Sequence, residues 1–320
     1  MSTGPRNRAE SETQALAALN ALGPTDERSA QTAAVRNALG HRHFHVVAKA
    51  ATLAAERSLH ECVAELLGAY PRFLETPLKR DPNCIAKKAI ARALVELECQ
   101  NVDFFLSGIR YVQREPVWGG TADTAVDIRC SCAMGLAATG YSRAVAELTA
   151  LLGDPESRAR IGAARAIACA DPREAEVLLR FKAVSGDSEP EVIGECFSGL
   201  LAIAPQESLP FVAEYLKNKD QAMREYAALA LGESRQPLAL ERLRAAWDDE
   251  CVTLEARLTL IRAAALHRSE AAFDWLLSFI EHGTQAHADC AVEALSVYER
   301  NSKLIERVHN ALAKRKAGKR

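Results

Sequence analysis

Three histidines lie close together in the run HRHFH, at His41, His43 and His45. If the run is helical, His41 and His45 share one face, at a spacing that can bind zinc. No glutamate follows in the arrangement that zinc proteases use, and the sequence offers no evident third ligand. We interpret the histidines as polar residues at the start of a helix, and we predict no metal site.

Cys130 and Cys132 are a second pair of potential metal ligands. Two residues apart on a helix, their side chains point about 200° away from each other, which is a poor arrangement for one metal ion. The sequence contains nine cysteines, an odd number, scattered through helical segments. This usage favours small buried apolar residues in a reducing compartment over a disulfide framework.

The sequence shows no pairing of a nucleophile with a base and no phosphate-binding loop. His60 and Glu61 invite comparison with deoxyhypusine hydroxylase, an iron enzyme that needs several His-Glu pairs facing each other. This chain has one such pair, so the comparison gives no metal site. We predict no catalytic residues and no cofactor.

The stretch QREPVWGGTADTAVDIR, Gln113 to Arg129, interrupts helical sequence with a proline, a tryptophan and two glycines. One interpretation is a structural plug, in which Trp118 folds back over an exposed helix end. Another is a binding loop, because tryptophan and arginine are enriched at binding hot spots and insertions in repeat proteins often lie on a binding face. A small-molecule pocket is the third interpretation. The residues predicted to contact a partner are Arg110, Arg114, Glu115, Trp118, Gly119 and Gly120.

The bulk composition favours a helical protein without a membrane span. Hydrophobic residues make up 48% of the chain and aromatic residues only 6%, and alanine and leucine dominate. A formal net charge of −2 argues against a surface built entirely for nucleic acid. The polar N-terminus lacks the apolar run of a signal peptide, and we predict a soluble, cytoplasmic protein.

An internal repeat organises the sequence around these candidate residues. The segment DPESRARIGAARAIA, from Asp154, aligns without gaps with NKDQAMREYAALALG, from Asn218, at an offset of 64 residues, or two periods of 32. Small residues recur within each segment at the spacing of one helix face. Self-similarity at this period indicates stacked helical hairpins, with a second helix after each repeated one.

The repeated segments resemble HEAT repeats, in particular the short bacterial subclass that is named after phycobilisome lyases. That family pattern places an acidic residue six positions before a basic one, ahead of small residues on the first helix. The resemblance extends over about residues 28–313 and implies a ladder of side chains that ties each inter-helix turn to the next. The predicted ladder residues are Asp81 with Lys87, Asp123 with Arg129, Asp154 with Arg160, and Asn218 with Arg224.

The repeat predicts an all-α fold, a right-handed α-solenoid (α-α superhelix) of about eight HEAT-like hairpins. We expect one solenoid domain over residues 26–313. An insertion at about 113–122 follows from the spacing of Asp81 and Asp123, which exceeds the repeat period by about ten residues.

The chain ends and two glycines carry further structural predictions. Residues 1–25 are polar and contain glycine and proline, which predicts disorder, and residues 314–320 are predicted to be a flexible basic tail. Gly140 and Gly232 lie where first helices should end, and both are predicted to be left-handed helix caps.

These features favour a non-catalytic scaffold or adaptor that binds another protein or a peptide, through a concave solenoid face and the Trp118 loop. Nucleic-acid binding, as in HEAT-like DNA glycosylases, is the alternative, because arginines and lysines lie on second helices at Arg110, Arg180, Lys182, Arg242 and Arg244. Glutamates among them dilute the field that a phosphate backbone needs. A bilin-lyase-like enzyme or accessory subunit is the further alternative, suggested by the subclass name. We predict no membrane partner.

Overall fold

The computed structural model describes residues 5–249 and 253–318. Within these ranges the chain forms nineteen α-helices and one two-stranded antiparallel sheet. No helix there is long and apolar enough to cross a membrane. The backbone contacts group the chain into two compact units, residues 1–170 and 171–320. The single domain over residues 26–313 stays a prediction.

The first unit contains ten α-helices and the sheet in its described part. Their bounds are α1 (Pro5–Ala21), α2 (Arg28–Leu39), α3 (Phe44–Glu56), α4 (Val63–Ala69), α5 (Pro77–Arg80), α6 (Ile85–Glu96), α7 (Val102–Gly108), β1 (Arg114–Val117), β2 (Gly120–Asp123), α8 (Val126–Ala138), α9 (Ala144–Leu151) and α10 (Ser157–Ala168). The repeated helices α3, α6, α8 and α10 pack against one another in chain order, and α7 packs on α8.

The second unit continues the alternation of first and second helices. Its helices are α11 (Pro172–Ser185), α12 (Pro190–Ile203), α13 (Pro205–Glu214), α14 (Gln221–Ser234), α15 (Pro237–Trp247), α16 (Leu254–His267), α17 (Glu270–His282), α18 (Gln285–Ser296) and α19 (Ser302–Gly318). Here α12, α14, α16 and α18 pack in succession, and α17 packs on both α18 and α19.

Small residues set the distance between successive first helices. Ala50, Ala91 and Ala133 are fully buried on α3, α6 and α8. A Cβ on Gly232 of α14 would lie 2.1 Å from the carbonyl oxygen of Ala263 on α16. Such positions bring the backbones of neighbouring helices into direct contact, as the repeat predicts.

Only one of the two predicted left-handed glycine caps exists. Gly140 follows α8 with a φ of +66°, as predicted. Gly232 lies inside α14, and the left-handed residue after that helix is Arg235, with a φ of +54°. The prediction for Gly232 is wrong because close packing against α16, rather than helix termination, requires a residue without a side chain there.

The N-terminal segment is helical where composition predicted disorder. Instead of an unstructured stretch over residues 1–25, α1 occupies Pro5–Ala21 and packs on α2 and α3. Leu19 is 2% exposed, and Arg57 donates hydrogen bonds to the carbonyl oxygens of Gly23 and Leu22 at 2.6 and 3.2 Å. The apolar run ALAALNAL thus gives the segment a buried face. Residues 1–4 lie outside the described residues.

The basic C-terminal segment is also helical, because α19 continues through Gly318. Lys314 Nζ lies 2.8 Å from Glu281 Oε1, and Arg315 donates to the carbonyl oxygens of Gly283 and Ile280 at 2.7 and 3.2 Å. These contacts hold the first two residues of the segment 314–320, which was predicted to be a flexible tail. Residues 319–320 lie outside the described residues.

Candidate partner-binding hairpin

The insertion is a β-hairpin rather than an irregular loop. Arg114 pairs with Asp123 and Val117 with Gly120, so Trp118 and Gly119 form a two-residue turn. Gly119 has a φ of +87°, the sign that the second central residue of a type II turn requires and that glycine adopts without strain. The glycine therefore closes the hairpin at its tip.

Glu115 anchors the hairpin to the turn before α6. Its side chain is buried, and Oε1 accepts hydrogen bonds from the backbone N–H of Asn83, from Gln113 Nε2 and from Thr124 Oγ1, each at 2.7 Å. Gln113 Nε2 also donates to the carbonyl oxygen of Asp81 at 3.1 Å. Oε1 of Glu115 is therefore used within the fold, and contact of this residue with a partner stays a prediction.

The surroundings of Glu115 favour its charged form. Burial alone raises the pKa of this carboxyl group, but the hydrogen bonds from Thr124, Gln113 and Asn83 and the positive charge of Lys87 outweigh it. The net result is a pKa below the ordinary value of 4.5. The carboxylate is therefore ionised at neutral pH and fixes the base of the hairpin.

A second anchor joins the hairpin to the turn before α10. Arg129 lies 2.6 Å from Asp123 and 3.0 Å from Asp154, so one guanidinium bridges two successive inter-helix turns. Asp123 also accepts from the backbone N–H groups of Gln113 and Ala125 at 3.1 and 2.9 Å. Burial raises the pKa of Asp123, and these donors together lower it below its ordinary value. The hairpin is thus tied at both ends.

The tip of the hairpin is open to solvent. Trp118 is fully exposed, at 103% relative accessibility, and Val117 is 50% exposed. Gly119 and Gly120 are exposed as well, and a Cβ on either would meet no atom within 4 Å. The structural-plug interpretation is therefore wrong, because Trp118 covers no helix end.

Arg114 lines a cleft of about 160 Å³ beside the hairpin. Within the described part of the chain its guanidinium has no hydrogen-bond or ion-pair partner. The cleft also contains Val112, which is 52% exposed, and the free carboxylate-bearing residue Glu156. Sequence reasoning missed Val112, Thr121 and Glu156 as residues of this cleft, because their proximity to one another depends on the hairpin register.

Arg110 forms an ion pair away from the tip of the hairpin. Its guanidinium contacts the carboxylate of Glu147 on α9, and the Arg110 side chain stays 61% exposed. Arg110 therefore belongs to the surface of α9 rather than to the hairpin. Trp118, Gly119 and Gly120 lie at the tip of the hairpin, whereas Arg114 lies at its open end, opposite Asp123. Arg110 precedes the hairpin, and Glu115 is buried at its base.

The remaining ladder residues use two kinds of contact. Lys87 Nζ lies 2.9 Å from Asp81 Oδ2, and both side chains are completely buried. Arg160 donates to the carbonyl oxygens of Asp154 and Pro155 at 2.8 and 3.1 Å. Arg224 likewise donates to the carbonyl oxygens of Asn218 and Lys219 at 2.7 and 3.0 Å. The later arginines thus close their turns through backbone oxygens.

The potential metal ligands serve structural roles. His41 precedes α3, so it does not share a helix face with His45. Cys132 is fully buried, and Cys130 donates from Sγ to the carbonyl oxygen of Arg158 at 3.3 Å. Glu61 is engaged by Arg28 at 2.8 Å. Among residues 5–249 and 253–318, no group of three or more His, Cys, Asp or Glu is arranged to hold a metal ion.

Comparison with known proteins identifies the repeats in the second unit. A family model described as HEAT repeats matches residues 177–255. No curated protein matches the chain significantly.

Two solved structures are similar to the chain at low identity. One is the complex of CpcE and CpcF of phycocyanin lyase from Nostoc sp. PCC7120, at 17% identity and a TM-score of 0.38, covering 75% of this chain and 92% of that chain. The other is human deoxyhypusine hydroxylase in complex with glycerol, at 15% identity and a TM-score of 0.31, covering 93% of this chain and 100% of that chain.

The family match lies on the helices α12 to α15 and the segments that flank them. These are helices that the repeat analysis paired as first and second members of hairpins. The predicted all-α solenoid fold is confirmed, and the part of the chain matched as HEAT repeats is residues 177–255.

Proposed function

We propose that this protein is a non-catalytic adaptor that binds another protein or a peptide through the tip of the hairpin. The observation that carries the proposal is a fully exposed Trp118 on a hairpin whose base is held by buried, charged anchors. A tryptophan offers a large apolar surface at a small entropic cost, and buried tryptophans dominate many interfaces. A rigid base also limits the ordering that binding requires.

Exposed residues on and beside the hairpin add to this surface. Val117 and Val112 are half exposed, and Arg114 has no partner within the described part of the chain. A tryptophan with apolar neighbours and an unpaired arginine is the composition that interface hot spots favour. We call Val117 and Trp118 the Trp118 tip, while Val112 and Arg114 lie at the open end of the hairpin.

The ladder supports a second, taxonomic part of the proposal. Arg129 joins the turn before α8 to the turn before α10, as the phycobilisome-lyase HEAT-like subclass implies. On this support we propose that the chain belongs to that subclass, whose name assigns no activity to this chain.

Affinity capture from a lysate of the source cell, followed by mass spectrometry, tests the function. The baits are the wild type, Trp118→Ala and the control Phe181→Ala, which removes an aromatic residue that is 67% exposed on α11. We expect a partner that Phe181→Ala retains and Trp118→Ala loses, because hot-spot truncation costs about 2 kcal/mol or more, roughly thirtyfold in affinity.

Circular dichroism and thermal unfolding provide the control on folding. Because Trp118 makes no buried contact, Trp118→Ala should leave the free energy of unfolding within about 0.5 kcal/mol of the wild type. Identical partners on all three baits would contradict binding at the Trp118 tip. A wild-type bait that enriches no protein would contradict the adaptor itself.

A further inference from the structure

The hairpin has one strand edge whose backbone groups point away from its partner strand. The N–H of Thr124 donates to the carbonyl oxygen of Gln113 at 2.9 Å, which makes these two a hydrogen-bonded pair. Hydrogen-bonded and non-hydrogen-bonded pairs alternate along an antiparallel ladder. With the register of the hairpin, the backbone N–H and C=O groups of Thr121 and Asp123 therefore point outward from β2.

Those outward groups are unpaired. In the part of the chain that the structure describes, no turn, loop or side-chain hydrogen bond involves the backbone N–H and C=O groups of Thr121 and Asp123. The register leaves these groups outside the ladder between β1 and β2, and Thr121 is exposed. The edge of β1 differs, because its outward position at residue 116 is a proline, which has no N–H to donate. Of the two edges, β2 keeps an outward N–H at both positions, whereas β1 keeps only that of Arg114, so β2 is the better edge for another strand.

The cleft beside β2 has the size and charge for a peptide side chain. Its volume of about 160 Å³ is well below the roughly 300–1,000 Å³ of pockets for drug-sized ligands. Arg129 pairs with both Asp123 and Asp154 at the cleft, and these three groups together keep one negative charge. Arg114 and Glu156 are left without a counter-ion in the described residues. The cleft therefore offers one free cation and one free anion.

We infer that β2 binds an extended peptide segment of a partner protein by strand addition, an inference that rests on the proposed function. Backbone hydrogen bonds to Thr121 and Asp123 supply the affinity, as in other cases of strand addition to a sheet edge. Peptide side chains over the cleft supply the specificity, with an acidic residue against Arg114 and a basic residue against Glu156. Trp118 packs against an apolar residue of the same peptide.

Thr121→Pro is the variant that tests strand addition. It removes the outward N–H of Thr121, a group that the hairpin itself does not use, and proline is tolerated on strand edges. Thr121→Val is the matched control, because it removes the hydroxyl but keeps the backbone N–H and the β-branched shape. The probe is a peptide selected against the wild type from a displayed library of random linear peptides.

Fluorescence polarisation with this peptide gives the affinity of each variant. We expect Thr121→Val to bind as the wild type does and Thr121→Pro to bind at least about tenfold more weakly, because a hydrogen bond is lost and its acceptor on the peptide is left unpaired. We also expect the selected peptides to carry both acidic and basic residues. Trp118→Ala should weaken binding of the same peptide.

Hydrogen exchange of the wild type provides a measurement that does not depend on any variant folding. The amide protons of Thr121 and Asp123 should exchange freely in the unbound protein and become protected in the complex with the peptide. Equal exchange with and without bound peptide would overturn strand addition.

The outcomes separate this inference from the proposed function. Strand addition is overturned if Trp118→Ala no longer binds the peptide while Thr121→Pro binds it as tightly as Thr121→Val does. The proposed function stands in that case. A peptide that binds all variants equally, or a library that yields no binder, overturns both. A wild-type dimer that Thr121→Pro dissociates would make a second copy of the chain the occupant, and would overturn the assignment to a partner peptide.

Discussion

At the scale of single residues, the buried carboxylate of Glu115 holds the base of the hairpin, a role that the polar composition of the segment does not indicate. Three donors at 2.7 Å converge on Oε1 from the turn before α6 and from both sides of the hairpin. A hydrogen-bonded charge in such a setting is costly to leave unpaired. The exposed Trp118 therefore depends on an acidic residue three positions earlier for its fixed base.

Glu115→Gln should lower the free energy of unfolding at neutral pH by about 1–3 kcal/mol, because a neutral amide accepts these hydrogen bonds less strongly. The folded state lowers the pKa of Glu115 below 4.5, so its contribution is complete above that pH. It is lost as pH falls through the lower, folded-state pKa. Urea unfolding of both proteins from neutral to acidic pH measures this.

The relevant quantity is the difference in free energy of unfolding between the wild type and Glu115→Gln, since other carboxylates titrate equally in both proteins. We expect the difference to shrink steadily below pH 4.5, where the wild-type residue also becomes neutral. A difference that stays constant over the acidic range would contradict an ionised Glu115 in the folded protein.

Lys87→Met tests the buried ion pair on α6. It leaves the carboxylate of Asp81 completely buried without its cation, and we expect a loss of about 3–5 kcal/mol in the free energy of unfolding. The control is Arg92→Met on the same helix, where Arg92 pairs with Glu96 at the surface. Exposed pairs contribute about 1 kcal/mol or less.

Urea denaturation of the two variants and the wild type measures these losses. If Lys87→Met and Arg92→Met were equally mild, the Asp81–Lys87 pair would be structurally dispensable. The ladder pair predicted in this repeat would then make no large contribution to the free energy of unfolding.

At the scale of elements, close approach between helices determines where glycine is required. A Cβ on Gly135 of α8 would lie 2.2 Å from Cε1 of Phe105 on α7. A Cβ on Gly108 of α7 would lie 2.2 Å from Sγ of Cys132 on α8. The contact between α7 and α8 is therefore reciprocal, with a glycine on each helix facing a side chain on the other.

Gly135→Ala should destabilise the protein by about 1–3 kcal/mol, because overpacking outweighs the better helix propensity of alanine. Gly68→Ala is the matched change, since Gly68 lies in α4 and a Cβ there meets nothing within 4 Å. It should be neutral or stabilising by about 0.5–1 kcal/mol. Thermal unfolding of both variants measures these changes in stability, and equal shifts in Tm would refute the packing argument.

The sequence predicted the helices that carry a repeated pattern of small residues. It missed the elements that depend on contacts between residues distant in the sequence. The recurrence of small residues located α8, α10 and α14 because each unit packs only on its neighbours. The hairpin was predicted only as an insertion, since two four-residue strands carry no periodicity, and their register depends on Glu115 reaching Asn83.

The two chain ends show the same limit. Composition averaged over the N-terminal segment is polar, yet Leu19 docks on neighbouring helices and makes part of it helical. At the other end, Lys314 and Arg315 find partners on and after α17 that their own sequence does not reveal. Among the candidate site residues, the burial of Glu115 and the pairing of Arg110 with Glu147 are tertiary contacts that the sequence did not indicate.

At the scale of the whole molecule, the distribution of charge argues against nucleic acid. The formal net charge is −2, and several of the arginines predicted to lie on second helices are engaged within the fold. Arg110 pairs with Glu147, Arg180 pairs with Glu176, and Arg244 donates to the carbonyl oxygen of Ala271. Each engaged arginine has less positive potential to offer a phosphate backbone.

We therefore expect no binding of duplex DNA at physiological salt. Fluorescence anisotropy of a labelled duplex, titrated with protein at low and then rising salt, is the measurement. Binding that falls steeply with salt would indicate several phosphate contacts and would favour the nucleic-acid alternative.

The proline at position 116 has a consequence for how copies of this chain can associate. A head-to-tail filament would need the β2 edge of one molecule to pair with the β1 edge of the next, and Pro116 withdraws a donor from that second edge. Two β2 edges can still meet across a two-fold axis, but that arrangement closes on itself and cannot propagate. The hairpin therefore keeps one strand edge receptive while removing a route to open-ended polymerisation, so that replacing Pro116 would put solubility, rather than folding, at risk.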